Sequence, residues 1–281
     1  MHESGNMKTR ENVRKKKVEA KPFLKWAGGK KVLLTELLRF VPLRYNHYFE
    51  PFLGSGALFF ALKPRKAYLS DLNKELINAY KQVKFNVKKI NAGLDNLKFN
   101  KKTYLSFRKK KARSKLGKAV RFMYLNKTCW NGLYRENKKG EFNVPMGKYK
   151  SPLICDKENL IQVSKVLKRS VILRKDFETI LKKAKKNDFV YLDPPYVTGH
   201  SNNGFIEYNS KIFSWQDQKR LRKVVGELHK KKCKIIMSNA NHIVIRNLYK
   251  GFKFHSVRRY SKIAGDVDNR KLITELIIRN F

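Results

Sequence analysis

The sequence predicts an α/β fold carrying one inserted segment, and three observations support that expectation. Short apolar runs ending at turn residues recur along the chain with helix-like stretches between them, as buried parallel strands do. Leu53-Gly54-Ser55-Gly56 follows one such run and opens a helix, the arrangement that begins a nucleotide-type βα unit. The run Phe189-Val190-Tyr191-Leu192 stops at Asp193-Pro194-Pro195-Tyr196, where two prolines forbid further ladder pairing and stiffen the exit. An acid, a rigid corner and an aromatic ring thus arrive together at the C-terminal edge of a sheet, where open α/β sheets bind ligands.

Composition narrows the partners. The chain has 281 residues, enough for one large domain with an insertion. Lys and Arg number 65 against 22 Asp and Glu, a net charge of +43. Such an excess destabilises a compact chain by self-repulsion unless a polyanion or salt screens it; nucleic acid is the expected polyanion and an anionic membrane the competitor. No apolar stretch approaches the ~18 residues that span a bilayer. The N-terminus lacks the apolar core of a signal peptide. The expectation is an intracellular, cytoplasmic protein without a membrane partner. Cys129, Cys155 and Cys233 are far apart, odd in number and without metal-site spacing, so no metal is expected.

In chain order, residues 1–21 are polar, include Arg14-Lys15-Lys16-Lys17 and read as a basic disordered tail, with Met1 or Met7 as the start. Phe23-Leu24-Lys25-Trp26-Ala27-Gly28-Gly29-Lys30 follows. Its glycines allow a tight turn, Trp26 offers a flat face, and Lys30 heads a helix with apolar positions from Val32 to Val41. Backbone donors and a lysine at a helix start suit a carboxylate or phosphate. A strand over 47–52 brings Glu50 and Phe52 to the glycine turn, and an apolar helix runs from Ala57 to Leu62. The turn has two of the three dinucleotide-fingerprint glycines and no phosphate-binding lysine after them, so a shorter adenosine ligand suits it better. The strand over 67–71 ends in Asp71, placed either to bind ribose hydroxyls or to cap the next helix.

Residues 74–156 read as the insertion, first helical and then irregular. Between Asp95 and Glu136 there is no acid but thirteen cations, a field that attracts phosphate. The strings 126–135 and 140–149 hold Trp130, Asn131, Arg135, Pro145 and Tyr149. An aromatic wedge, an amide and a guanidinium can enter a base step, read adenine and read guanine. Packing of Trp130 in a small core and pairing of Arg135 with Glu136 or Glu141 is the structural alternative. A helix follows near 157–167, a strand at 170–174 leading to Lys175-Asp176-Phe177, and then the strand that ends in the tetrapeptide. Residues 197–213 read as a mobile loop. Ser214 with Asp217 caps a helix, a strand spans 234–237, and 252–260 with 272–278 form a closing hairpin. The main domain therefore comprises 22–73 and 157–281.

The order of these motifs, with the string 126–149, resembles the Dam/DpnM-type site-specific DNA adenine-N6 methyltransferases, of alpha-type motif order, from about Lys21 to Phe281. Trp130 is a departure, standing where such an enzyme carries tyrosine. The resemblance implies a Rossmann-like methyltransferase sheet with an inserted, mainly helical target-recognition domain. It implies S-adenosylmethionine as cofactor and double-stranded DNA as partner, for a nucleoid-associated monomer or weak dimer. Trp26 and Lys30 then meet the methionine end, Asp71 the ribose, and Asp176 with Phe177 the adenine. Glu50, Phe52, Gly54 and Gly56 line the same site. Asp193, Pro194, Pro195 and Tyr196 act on the target base, with Asp193 also facing the cofactor. Trp130, Asn131, Arg135, Pro145 and Tyr149 read the duplex, expected to be GATC. Cytosine-N4 or RNA-adenine methylation is the alternative chemistry. A non-catalytic architectural DNA binder is the alternative of another class.

Overall fold

The computed structural model describes residues 19–26, 33–137, 139–196, 213–260 and 272–281. Seven strands form one sheet: β1 (Tyr48–Glu50), β2 (Ala67–Ser70), β3 (Ser170–Leu173), β4 (Phe189–Leu192), β5 (Lys234–Ala240), β6 (Lys253–Tyr260) and β7 (Leu272–Arg279). Their order is β3-β2-β1-β4-β5-β7-β6. The first five are parallel, with Tyr48 opposite Ala67 on one side and Phe189 on the other. β7 runs antiparallel between β5 and β6. The chain winds outward from β1 to β3 and then returns to start again at β4. The order therefore reverses between β1 and β4, the crevice at which such sheets hold ligands.

Burial on both faces explains why the strands read as continuous apolar runs rather than alternating ones. All four residues of β4 are buried. Tyr48, Phe189, Tyr191, Ile236 and Ile277 face one core, while Phe49, Val190, Leu192, Ile235 and Met237 face the other, the period of two a strand imposes.

The helices of the sheet layers are α1 (Leu34–Arg39), α2 (Ala57–Leu62), α6 (Lys157–Leu167), α7 (Phe177–Leu181), α8 (Trp215–Lys230) and α9 (Ile243–Leu248). α6 and α8 lie where the sequence places them. Asp156 caps α6 through Asn159 N, and Ser214 with Asp217 closes a reciprocal capping box on α8. The inserted segment contributes α3 (Lys74–Asp95), α4 (Lys101–Lys109) and α5 (Lys115–Thr128). The first half of α3 already packs on the sheet, for Tyr80 stacks on Phe60 and donates to the Gly54 carbonyl at 3.1 Å. Asn86 has non-helical angles and kinks the helix. The core runs on without a break through Tyr104, Phe122, Tyr124 and Val144.

Three expectations are refined. Asp71 does not cap α3. Asn73 does, accepting from Leu76 N at 2.9 Å, because both Asp71 oxygens are already engaged by backbone N–H groups. The strand expected over 47–52 is only Tyr48–Glu50, since Pro51 cannot extend the ladder. Of the expected tail, 1–18 lie outside the described residues, whereas Lys21 exchanges two hydrogen bonds with the Asn159 side chain and Glu19 pairs with Lys63. Lys30 and residues 197–212 of the expected loop also lie outside them.

Candidate active site

Acids gather at the crevice. Glu50 ends β1, is 2% exposed and accepts the Tyr48 hydroxyl at 2.9 Å. Burial pushes its carboxyl well above the usual range, and the nearby charges of Asp193 and Asp71 push it further, against the lowering effect of the Tyr48 bond. Burial also raises Asp71, though the N–H groups of Asn73 and Gly54 donate to it at 2.9 and 3.1 Å. In a chain of net charge +43, Glu50 and Asp71 stand without a paired cation among the described residues.

The glycine turn is built by these groups. Asp71 fastens Gly54 from β2, and Tyr80 fastens it from α3. Gly54 and Gly56 have φ of +46° and +65°, angles that side chains resist. Trp26 covers the turn, its Cδ1 only 2.8 Å from where a Cβ on Gly54 would stand. The other face of this indole belongs to the insertion, stacking on Tyr134 at 6.3 Å and 20°. The turn, Trp26 and Asp71 therefore lie beside the same acids as Asp193.

On the far side of the crevice, Phe52 stacks on Phe177 at 5.5 Å, and Phe213 meets Phe52 edge-on at 5.7 Å. Asp176 caps α7 through Glu178 N and is held by Arg220 of α8. The tetrapeptide leaves β4 next to Glu50, with Pro194 buried and Asp193, Pro195 and Tyr196 half-buried. The Tyr196 hydroxyl donates to Glu275 Oε2 at 3.3 Å. Burial and the charges of Asp193 and Glu275 hold that hydroxyl well above its usual pKa, so it stays protonated. Buried Cys129 and Cys233 are pushed up to about 12 and about 11, too high to supply a thiolate nucleophile near neutrality.

The two strings of the insertion pair as an irregular ribbon, bridged at Cys129–Met146 and Glu136–Phe142. The backbone N–H of Trp130 donates to the Pro145 carbonyl at 2.9 Å. Trp130 is 39% exposed rather than packed in a core. Asn131, Arg135 and Pro145 are exposed too. Arg135 pairs with neither acid considered for it, its Nε donating to Asn143 Oδ1 at 2.9 Å. Tyr149 is turned inward, its hydroxyl donated to the Cys129 carbonyl and its ring 4.0 Å from Lys25 Nζ.

Four residues at these sites were not singled out in the sequence. Asn126 is buried and clamps Lys25 through both backbone groups while donating to Gly132 O, which ties the ribbon to the segment that carries Trp26. Lys25 lies on Tyr149, Arg220 lies on Asp176 and Phe177, and Glu275 lies under Tyr196. Only Glu275 carried a local signal, an acid in the middle of the apolar strand Leu272–Arg279. Among the described residues no cluster of His, Cys, Asp or Glu could hold a metal, and no helix is long and apolar enough to cross a membrane.

The chain is similar to known proteins along most of its length. The chain is 39% identical over 279 residues to the Type II methyltransferase M1.LlaDCHI of Lactococcus lactis subsp. cremoris, covering 96% of this chain and 98% of that one. It is 38% identical over 289 residues to the Type II methyltransferase M.MjaIII of Methanocaldococcus jannaschii, covering 94% and 100%. The DNA adenine methylase of Escherichia coli K12 is 31% identical over 262 residues, covering 91% and 93%. Residues 26–263 match the family model for D12 class N6 adenine-specific DNA methyltransferases. With an acid-lined crevice at the sheet reversal, a glycine turn and a basic inserted ribbon all within that match, the chain belongs to the D12 class N6 adenine-specific DNA methyltransferase family.

Proposed function

We propose that this protein transfers a methyl group from S-adenosylmethionine to N6 of an adenine flipped out of double-stranded DNA, within GATC. The observation that carries the reading is the meeting of Glu50, Asp71 and Asp193 at the β1/β4 crevice, beside a glycine turn roofed by Trp26. Trp26, Glu50, Phe52, Gly54, Gly56, Asp71, Asp176, Phe177 and Lys30 are the residues that would hold the cofactor. The negative lining fits a cationic sulfonium, and the aromatic wall of Phe52 and Phe177 fits an adenine. Bound S-adenosylmethionine supplies an electrophilic methyl group.

The protein's task is to make a poor nucleophile attack. Adenine N6 is weak because its lone pair is delocalised into the ring, and flipping the base costs a few kcal/mol. Stacking on Tyr196 offsets part of that cost, and its hydrogen bond to Glu275 steadies the ring. The Asp193 carboxylate and the Pro194 carbonyl each accept one N6 hydrogen, while Pro195 keeps the backbone corner rigid. Positive charge develops at N6 as the bond forms, so two fixed acceptors aimed there favour the transition state over the ground state. The exposed residues Trp130, Asn131, Arg135 and Pro145, with Tyr149 as support, face the duplex. The twelve cations that precede Trp130, from Lys98 to Lys127, supply the field that attracts its phosphates.

The test incubates the protein with labelled S-adenosylmethionine and a duplex library containing every tetranucleotide, then maps modified bases by sequencing and mass spectrometry. N6-methyladenine confined to GATC is the expected outcome. Methylation at another adenine context would overturn the sequence assignment alone. N4-methylcytosine, label entering only RNA, or no transfer would overturn the reaction.

A further inference from the structure

Arg220 makes more side-chain contacts at the candidate cofactor site than any role yet given to it requires. It lies in the second turn of α8, whose first residue is Trp215. Its Nη1 and Nη2 donate to the two Asp176 oxygens, each at 2.9 Å, in a parallel fork. It also reaches Asp217 at 3.0 Å and Glu178 at 3.4 Å, and lies 4.3 Å over the Phe177 ring. Phe177 in turn stacks on Phe52, and Phe213 closes the group.

The fork fixes how much accepting capacity Asp176 has left. An ionised carboxylate has about two acceptor positions per oxygen and no donor. Oδ1 receives Arg220 Nη1 and the backbone N–H of Glu178, so it is filled. Oδ2 receives only Arg220 Nη2 among the described residues, leaving one position. The planar guanidinium sets the carboxylate plane, which a flexible ammonium would not. One oriented acceptor beside an aromatic face matches a purine with a 6-amino group and opposes one with a 6-oxo group, where two acceptors would meet.

We propose that Arg220 is a positioning residue that orients Asp176 and Phe177 to select a 6-aminopurine in the cofactor, without touching the base itself. This rests on the reading above that Asp176 and Phe177 hold the cofactor's adenine. The selectivity comes from the fork, so it is lost when the fork is lost even if the charge remains.

The experiment compares binding of S-adenosylhomocysteine and S-inosylhomocysteine by calorimetry to the wild type, Arg220→Met and Arg220→Lys. The Arg220 side chain is 40% exposed, so its removal opens no buried cavity, and a melt without ligand checks the fold. The wild type is expected to favour the adenosyl compound by at least ~10-fold, as for a hydrogen bond to a charged group. Arg220→Met and Arg220→Lys are both expected to bring the ratio to about 1 by weakening the adenosyl compound alone, because neither side chain carries the planar fork. Wild-type selectivity in either folded variant would overturn the proposal. So would equal weakening of both compounds, which marks a purely structural role. A wild type that binds both equally overturns it while leaving methyl transfer standing, whereas one that binds neither removes the cofactor reading as well.

Discussion

Trp26 lies so close over Gly54 that a methyl group on the glycine would stand 2.8 Å from the indole Cδ1. The glycine also has φ +46°, a region that costs a side chain about 1–3 kcal/mol. Gly54→Ala must therefore strain the turn and push the indole toward Tyr134. Affinity for S-adenosylmethionine is expected to fall by roughly 10-fold or more, read by equilibrium dialysis. Unchanged affinity in a folded variant would separate Trp26 from the cofactor.

Asp193 is to be tested on the chemical step. Asp193→Ala removes an acceptor whose value is greatest once N6 becomes positive. Single-turnover methylation is expected to slow by roughly 10²-fold or more, with cofactor affinity falling less. Near-normal turnover would show that the nitrogen is activated by something else.

Glu50 makes the folded protein sensitive to pH. Its folded pKa is raised, so as pH climbs above the unfolded value of about 4.3 the unfolded chain releases a proton that the folded chain still holds. Stability drains away with rising pH until Glu50 itself ionises. Glu50→Gln keeps an acceptor for Tyr48 without the charge. Its melting temperature is expected to exceed that of the wild type by on the order of 2–4 °C at pH 8, with little difference near pH 4. Cofactor affinity should move the opposite way, because the sulfonium loses a counter-charge. A variant no more stable at pH 8 than the wild type would mean that Glu50 ionises in the folded protein as easily as in the unfolded chain.

Arg135 and Lys109 separate reading from holding. Arg135 is exposed and steadied by Asn143. Arg135→Ala is expected to cost ~1–3 kcal/mol of discrimination at one guanine while other positions keep theirs. Lys109→Ala should leave specificity alone and lower the slope of log affinity against log salt by about 1. Competition binding with single-base variants, repeated at several salt concentrations, distinguishes the two. Uniform weakening on every sequence by Arg135→Ala would make it a phosphate contact.

Much of the fold could be read from local pattern. The tetrapeptide at the end of β4, the span of α6, the Ser214–Asp217 capping box and the final hairpin all follow from short-range rules of burial, proline and capping. Asp71 was ambiguous because a carboxylate just before a helical stretch can cap it or serve the turn across the crevice. The hydrogen bond to Gly54, 17 residues away, decides the matter. Lys25, Asn126, Arg220 and Glu275 stayed hidden because each works through a partner far along the chain. Asn126 meets Lys25 across 101 positions, Arg220 meets Asp176 across 44, and Glu275 meets Tyr196 across 79. No local periodicity encodes such meetings, and only the sheet order brings them about.

That β7 lies inside the sheet while following β6 in the chain bears on how the molecule is born. A ribosome that has released everything up to residue 271 has delivered the whole tetrapeptide and the glycine turn, yet β5 still presents an open edge and Tyr196 lacks Glu275. The half-made polypeptide is thus unfinished at its centre rather than at its margin. Methylation of DNA must wait for translation to pass that strand.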